Sequence, residues 1–260
     1  MPAKPPPLLH WNDVPAAIGL LTRLPVKVNT EHAMARGAAA AWAYPLVGLV
    51  VGGLASLVGG LALLLTASPP IAAGLALATQ VIVTGAMHED GLADCADGFW
   101  GGWDRKRRLA IMKDSQVGTY GVLALVFAVG LAWVGLKILM EKSPVWWVWL
   151  TFAAVVSRHN IVAVMASLPH ARPGGLSSLV GRPSGATLRV SAGIAVLITL
   201  AFAMGLAAPS PIIVFLVAWL PVPAVRWLAK KKIGGQTGDV LGGAQAVTFL
   251  TCLITAVAIT

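Results

Sequence analysis

Residues 71–87 read IAAGLALATQVIVTGAM, and the chain passes from there straight into HEDGLADCADG, residues 88–98. The first stretch is an uncharged apolar run about as long as a bilayer core is thick. The second is densely acidic. Of ten acidic residues in the chain, Glu89, Asp90, Asp94, Asp97, Asp104 and Asp114 fall between positions 89 and 114. Carboxylates gathered at the end of an apolar run point to a membrane protein whose function sits there.

Composition agrees. Hydrophobic residues make up 57% of 260 and charged residues 11%, and the mean hydropathy is +0.81. That lies outside soluble globular usage. The apolar runs are continuous and do not alternate, which argues against a membrane β-barrel. The sequence predicts an all-α, polytopic transmembrane bundle of about seven spans forming one integral membrane domain over 1–260. The spans are placed at about 44–65, 71–87, 120–139, 145–165, 188–207, 212–228 and 240–260, with the glycine-bearing last one the weakest. Gly48 and Gly52 make a G-x-x-x-G spacing that permits close helix approach in the first. Residues 1–10 are expected to be a disordered lead-in without a cleavable signal peptide, and 11–24 an interfacial helix. Cys95 and Cys252 are read as free thiols.

The net charge of +9 is read as a topology signal, with no nucleic acid implied. A cytoplasmic N-terminus would put 17 of the 19 basic residues on the inner side, all but Lys137 and Lys142. The long polar loops would then face the cytoplasm, and the lipid bilayer is the partner of the rest.

Asp90, Asp94 and Asp97 are spaced i, i+4, i+7, so they fall within about 60° of one another on a helix. Three carboxylates on one face repel unless a cation lies between them, and all-oxygen ligation suits Mg²⁺, with Mn²⁺ as a second choice. A solvated acidic face is the alternative, set against the apolar neighbours Leu92, Ala93, Ala96 and Phe99. Arg105 to Arg108 and Lys113 follow closely, as a diphosphate substrate would require, although topology alone also places cations there. Lys113, Asp114, Ser115 and Gln116 could position a nucleophile or ligate metal, and His88 could act as a base.

The pattern His88-x-Asp90-Gly91-Leu92-x-Asp94-x-x-Asp97-Gly98, followed by Ile111-Met112-Lys113-Asp114-Ser115-x-x-Gly118-Thr119-x-Gly121, resembles the cobalamin synthase (adenosylcobinamide-GDP ribazoletransferase) family. Thr22 to Val26, Pro45 to Gly48 and Gly235-Gln236-Thr237-Gly238-Asp239-Val240-Leu241-Gly242 extend the resemblance over most of the chain. Asp94-x-x-Asp97-Gly98 also copies the start of the CDP-alcohol phosphotransferase pattern. Gly101-Gly102 stands where those enzymes have Ala-Arg, and their later aspartate pair is missing. Gln245-Ala246 stands where many cobalamin synthases carry a longer polar run.

The resemblance implies attack by a ribose hydroxyl of α-ribazole, or of its 5′-phosphate, on adenosylcobinamide-GDP. GMP would leave, Mg²⁺ would be required, and the setting would be the bacterial inner membrane with the site facing the cytoplasm. On this reading Asp90, Asp94, Asp97 and Asp114 are the metal ligands, with Asp114, Asp97 and His88 as catalytic candidates. Lys113, Arg105, Arg108, Ser115, Gln116, Arg158, Gln236, Thr237 and Asp239 are the substrate-binding candidates. Asp239 could equally be the N-cap of the last span. The oligomeric state is open, a homo-oligomer included. The rival classes are a CDP-alcohol phosphotransferase and an ion-coupled transporter; the second would be expected to show broken helices in matching halves, and no internal repeat is seen.

Overall fold

The computed structural model describes residues 7–260. They form thirteen α-helices and one 3₁₀ segment, with no strand among the described residues. Six helical segments are long and apolar enough to cross a membrane, and a bent pair makes a seventh. The chain is a multi-pass membrane protein. On α7 (Thr119–Lys142) and α10 (Gly185–Gly205), Val126, Phe127, Leu131, Leu197 and Leu200 point outward, as hydrocarbon-facing side chains do.

α8 (Trp146–Ser167) is the axis of the bundle, its apolar window wholly enclosed by the others. α3 (Tyr44–Thr66) lies against it. A Cβ on Gly48 would stand 2.5 Å from the Ala154 carbonyl oxygen, and one on Gly52 would stand 2.6 Å from Thr151 Cα. The G-x-x-x-G spacing is therefore used as expected, to bring two backbones together.

Before α3 come α1 (Asp13–Leu21), α2 (Thr30–Arg36) and a 3₁₀ turn over Gly37–Ala43. α1 buries Ala16, Ala17 and Leu21 against the bundle. Of the lead-in expected to be disordered, residues 1–6 lie outside the described residues, and Pro7 to His10 are tied down. Arg36 Nη1 donates to the Pro7 carbonyl at 2.6 Å and Nη2 to that of Leu8 at 3.1 Å. The same Arg36 grips Asp13, which also accepts from Trp42 Nε1 at 2.8 Å.

The second expected span, 71–87, closes three residues early, at Thr84. α4 (Pro69–Thr84) ends on Gly85 at φ +64° and Ala86 at φ +57°, and α5 (Met87–Gly101) leaves at 86° to it. Two successive left-handed residues break the i to i−4 ladder and redirect the chain. Gly85 has a second reason to lack a side chain, since a Cβ there would meet Arg23 Nε at 2.5 Å. α5 thus turns away from the line of α4 and carries the acidic stretch with it.

α6 (Arg105–Ile111) is capped by Asp104, which accepts the Arg107 N–H at 2.8 Å. α9 (Leu176–Val180) is a single turn inside the Pro/Gly-rich loop. The sixth span is two helices, α11 (Ser210–Val217) and α12 (Pro221–Ile233), because Pro221 and Pro223 remove donors at the junction. The last span is an unbroken helix, α13 (Gly238–Ile259), despite its glycines.

Candidate active site where two helices cross

α5 is helical through the whole acidic stretch, so Asp90, Asp94 and Asp97 do share a face. Their surroundings differ. Asp90 is exposed and Asp94 half-buried. Asp97 is buried, and both its oxygens are occupied: Oδ2 accepts the Gly118 N–H at 2.7 Å and Oδ1 that of Gly121 at 2.9 Å. α7 has no cap from its own sequence; Asp97 supplies one from a neighbouring helix, satisfying orphan donors and the helix dipole.

α13 delivers a fourth carboxylate. Thr237 is its N-cap, accepting the Val240 N–H at 3.3 Å. Asp239, in the first turn, is therefore not the cap, and its Oδ2 accepts the Thr237 hydroxyl at 3.0 Å. The Asp239 backbone presses on Gly91, where a Cβ would stand 2.7 Å from its carbonyl oxygen, and Gly242 presses on Met87 and His88 in the same way. Crossing at glycines, α5 and α13 bring Asp239 beside Asp90 and Asp94. Arg172 approaches from the Pro/Gly-rich loop, with Nη2 3.4 Å from Asp239 Oδ2 and Nη1 donating to the Leu109 carbonyl at 3.1 Å.

Electrostatics reports the crowding. Burial first, then the charges of Asp239, Asp90 and Asp97, push the Asp94 carboxyl up to about 7, with Arg172 only partly offsetting them. Four carboxylates and one arginine leave an excess of negative charge. Such an oxygen set could complement a hard cation; Asp90, Asp94 and Asp239 are the residues that could hold it, with Asp97 behind them capping α7. Among the described residues, the one three-residue group whose ligating atoms all lie within 4.8 Å is elsewhere, at His10, Asp13 and His32. There the Arg36 guanidinium already supplies the positive charge.

A family model described as cobalamin-5-phosphate synthase matches residues 13–257. The chain belongs to that family. An adenosylcobinamide-GDP ribazoletransferase of Bradyrhizobium diazoefficiens is 40% identical over 249 residues, covering 95% of this chain and 93% of the relative. Relatives of the same description in Rhizobium meliloti and Allorhizobium ampelinum are 36% and 40% identical, each over more than nine-tenths of both chains. No solved structure matches. The chain is accordingly a membrane transferase of cobalamin synthesis.

The other residues singled out from sequence lie in three places. Asp114 is on the exposed loop before α7 and shares a groove of about 340 Å³ with Asp97 and Gln116; Lys113 and Ser115 are exposed beside it. A second group ties loops together. Arg105 donates to the Ile233 and Ala171 carbonyls at 2.8 and 2.7 Å, and Arg108 to those of Gly102, Lys232 and Trp103 at 2.9 to 3.1 Å. Gln236 belongs with them, its Nε2 donating to the Met165 and Leu168 carbonyls at 2.8 and 3.1 Å. The third group is inside the bundle. His88 is 2% exposed and two residues, or 200° of helix, from Asp90. Arg158 is in the middle of α8 and fully buried, so it is no loop cation, and the inside count of basic residues falls by one.

Sequence reasoning missed Arg172, which was read only as a loop charge. It also missed the pairing of Gly91 with Gly242. The available signal was Gly242-Gly243 itself, read as a weakness in the last span when it is a docking surface.

Proposed function

We propose that the chain transfers the adenosylcobinamide phosphate group from adenosylcobinamide-GDP to α-ribazole or its 5′-phosphate and releases GMP. The observation that carries this is the meeting of Asp94 and Asp239 across the Gly91 contact, with Arg172 beside them. The names of the relatives supply both substrates. In the reaction the ribose oxygen bonds to the phosphorus that carries the cobinamide, the bond from that phosphorus to the GMP oxygen breaks, and the hydroxyl proton is removed.

Asp90, Asp94 and Asp239 would hold Mg²⁺, or Mn²⁺ in its place. Bound there, the ion supplies neutralisation of the diphosphate and of the leaving phosphate. The chain does the rest. Arg172 takes phosphate charge on the α13 side. Asp97 fixes the start of α7 and so the position of the loop bearing Asp114, whose carboxylate faces the shared groove and accepts the ribose proton. Gly235 lets the turn before α13 lie against the Pro169 to Ala171 backbone, which fixes where Asp239 begins the helix. With the cationic loops inside, this site faces the cytoplasm of a bacterial inner membrane.

Purified protein in detergent, given adenosylcobinamide-GDP, α-ribazole and Mg²⁺, tests the reading. GMP should appear with stoichiometric corrinoid product. Release of CMP from CDP-diacylglycerol and an alcohol, with no GMP, would replace this reading by that of a CDP-alcohol phosphotransferase. Neither product would be expected of a transporter.

A further inference from the structure

Behind the aspartate face, on the far side of α5, lies a cavity of about 60 Å³ lined by α4, α5, α7, α8 and α13 and partly open at its α7 side, where Val129 is exposed. Its walls are largely apolar, but Gln80, His88, Glu89, Arg158 and Gln245 all open onto it. Their polar atoms are short of partners. Gln80 Nε2, both ring nitrogens of His88, Glu89 Oε2 and Arg158 Nε are buried without a hydrogen bond. Arg158 uses Nη1 on the Ala154 carbonyl at 2.9 Å, and Gln245 Nε2 donates to Ser157 Oγ at 3.0 Å. No ion pair within 4.0 Å joins Arg158 to Glu89 among the described residues.

A fully buried guanidinium facing a carboxyl without touching it is costly unless something polar stands between them. The chamber has the size and lining for that. At 10 to 15 Å³ of such volume per molecule it holds roughly four waters, to which the unpartnered polar atoms of Gln80, His88, Glu89 and Arg158 are available. A purely apolar void of the same size would stay dry.

We infer that the chamber is a water-binding site through which Arg158 holds Glu89, and that Arg158 is a positioning residue for the aspartate face. Glu89 immediately precedes Asp90 on α5. Fixing it against α8 fixes the rotation of α5 about its own axis, and with it the direction in which Asp90 and Asp94 point. Glu89 therefore belongs to the support of the site, and Arg158 acts on it from within the bundle. The inference rests on the metal role proposed for those aspartates.

The test is Mn²⁺ binding, followed by the electron paramagnetic resonance of the ion, to the full chain in detergent. It needs neither substrate nor turnover. Arg158→Met leaves Glu89 facing an apolar wall, and the Mn²⁺ dissociation constant should rise about tenfold or more. The double variant Arg158→Met with Glu89→Gln removes both buried charges and should recover most of that loss. A packing role for Arg158 alone would show no such rescue. If Arg158→Met does not fold, Ala128→Leu fills the chamber without deleting a polar group. It should weaken Mn²⁺ binding if water is held there, and be neutral or stabilising if the chamber is dry. Parent-like binding by Arg158→Met, failure of the double variant to recover, or a neutral Ala128→Leu overturns the inference. A parent that binds no Mn²⁺ overturns it together with the metal role. A parent that binds Mn²⁺ yet releases no GMP overturns the proposed reaction and leaves the chamber standing.

Discussion

A Cβ atom on Gly91 would stand 2.7 Å from the carbonyl oxygen of Asp239. This contact decides how near the acidic face of α5 comes to the carboxylate of α13, so its removal is the simplest disturbance of the site. Gly91→Ala must push the two helices apart. Overpacking of this kind costs about 1–3 kcal/mol, and a displacement of about 1 Å at a reacting centre costs about a hundredfold in rate. The expected result is a folded protein of lower melting temperature whose GMP release falls by about two orders of magnitude. Parent-like turnover would mean that the crossing does not set the site.

Asp94 gives a pH dependence with a definite sign. Its carboxyl is raised to about 7, by burial first and by its acidic neighbours after that. A folded value above the unfolded one means that the folded chain binds the extra proton. The stabilisation is complete below about pH 4 and is lost as pH rises through about 7. Chelated protein should therefore melt at lower temperature at pH 8 than at pH 5, and Asp94→Asn should flatten that slope. Added Mg²⁺ should reverse the trend, because it binds the ionised carboxylates and binds better as pH rises.

Asp97 is expected to behave differently from Asp94 although both stand on one face. Its two oxygens cap α7, and an asparagine can accept only one of those N–H groups well. Asp97→Asn should lower stability by about 1–2 kcal/mol, the scale of a lost helix cap, as read from chemical denaturation in detergent. Asp94→Asn should leave chelated stability equal or higher and abolish Mn²⁺ binding. Equal behaviour of the two variants would return Asp97 to the metal ligands.

Asp13 anchors the N-terminal segment and should be neutral for chemistry. Burial alone would raise its carboxyl, but hydrogen bonds from Arg36, Trp42 and His32 outweigh that and hold it below the ordinary range. Its contribution is present above the unfolded value of 3.8 and lost as pH falls through the lower folded one. Asp13→Asn strands Arg36 and should cost about 3 kcal/mol, seen as earlier proteolysis between α1 and α3. Turnover per folded molecule should be unchanged.

Much of this was legible in the sequence. Apolar runs gave the spans to within a few residues, because span length follows from bilayer thickness. The aspartate spacing gave the face, because helical phase needs no tertiary information. Three things were not legible. The 86° turn at Gly85 and Ala86 depends on Ala86 taking a left-handed conformation that its identity does not suggest. The duties of Arg105, Arg108 and Gln236 depend on carbonyls far away in the chain, some more than a hundred residues distant. Arg158 was expected to reach substrate; that it is fully buried, with Gln80, Glu89 and Gln245 beside it, depends on how α4, α5 and α13 pack on α8.

We propose that the face built by Asp90, Asp94 and Asp239 is a metal-dependent phosphoryl-transfer centre. Its most direct test is GMP release from adenosylcobinamide-GDP and α-ribazole, followed across a Mg²⁺ titration, for parent and Asp94→Asn protein prepared alike. The parent should show saturable Mg²⁺ dependence, and Asp94→Asn should lose at least about a hundredfold in rate with its fold intact, the scale of loss when charge stabilisation of the transition state is removed. GMP release that is independent of Mg²⁺, or unchanged in Asp94→Asn, would contradict it.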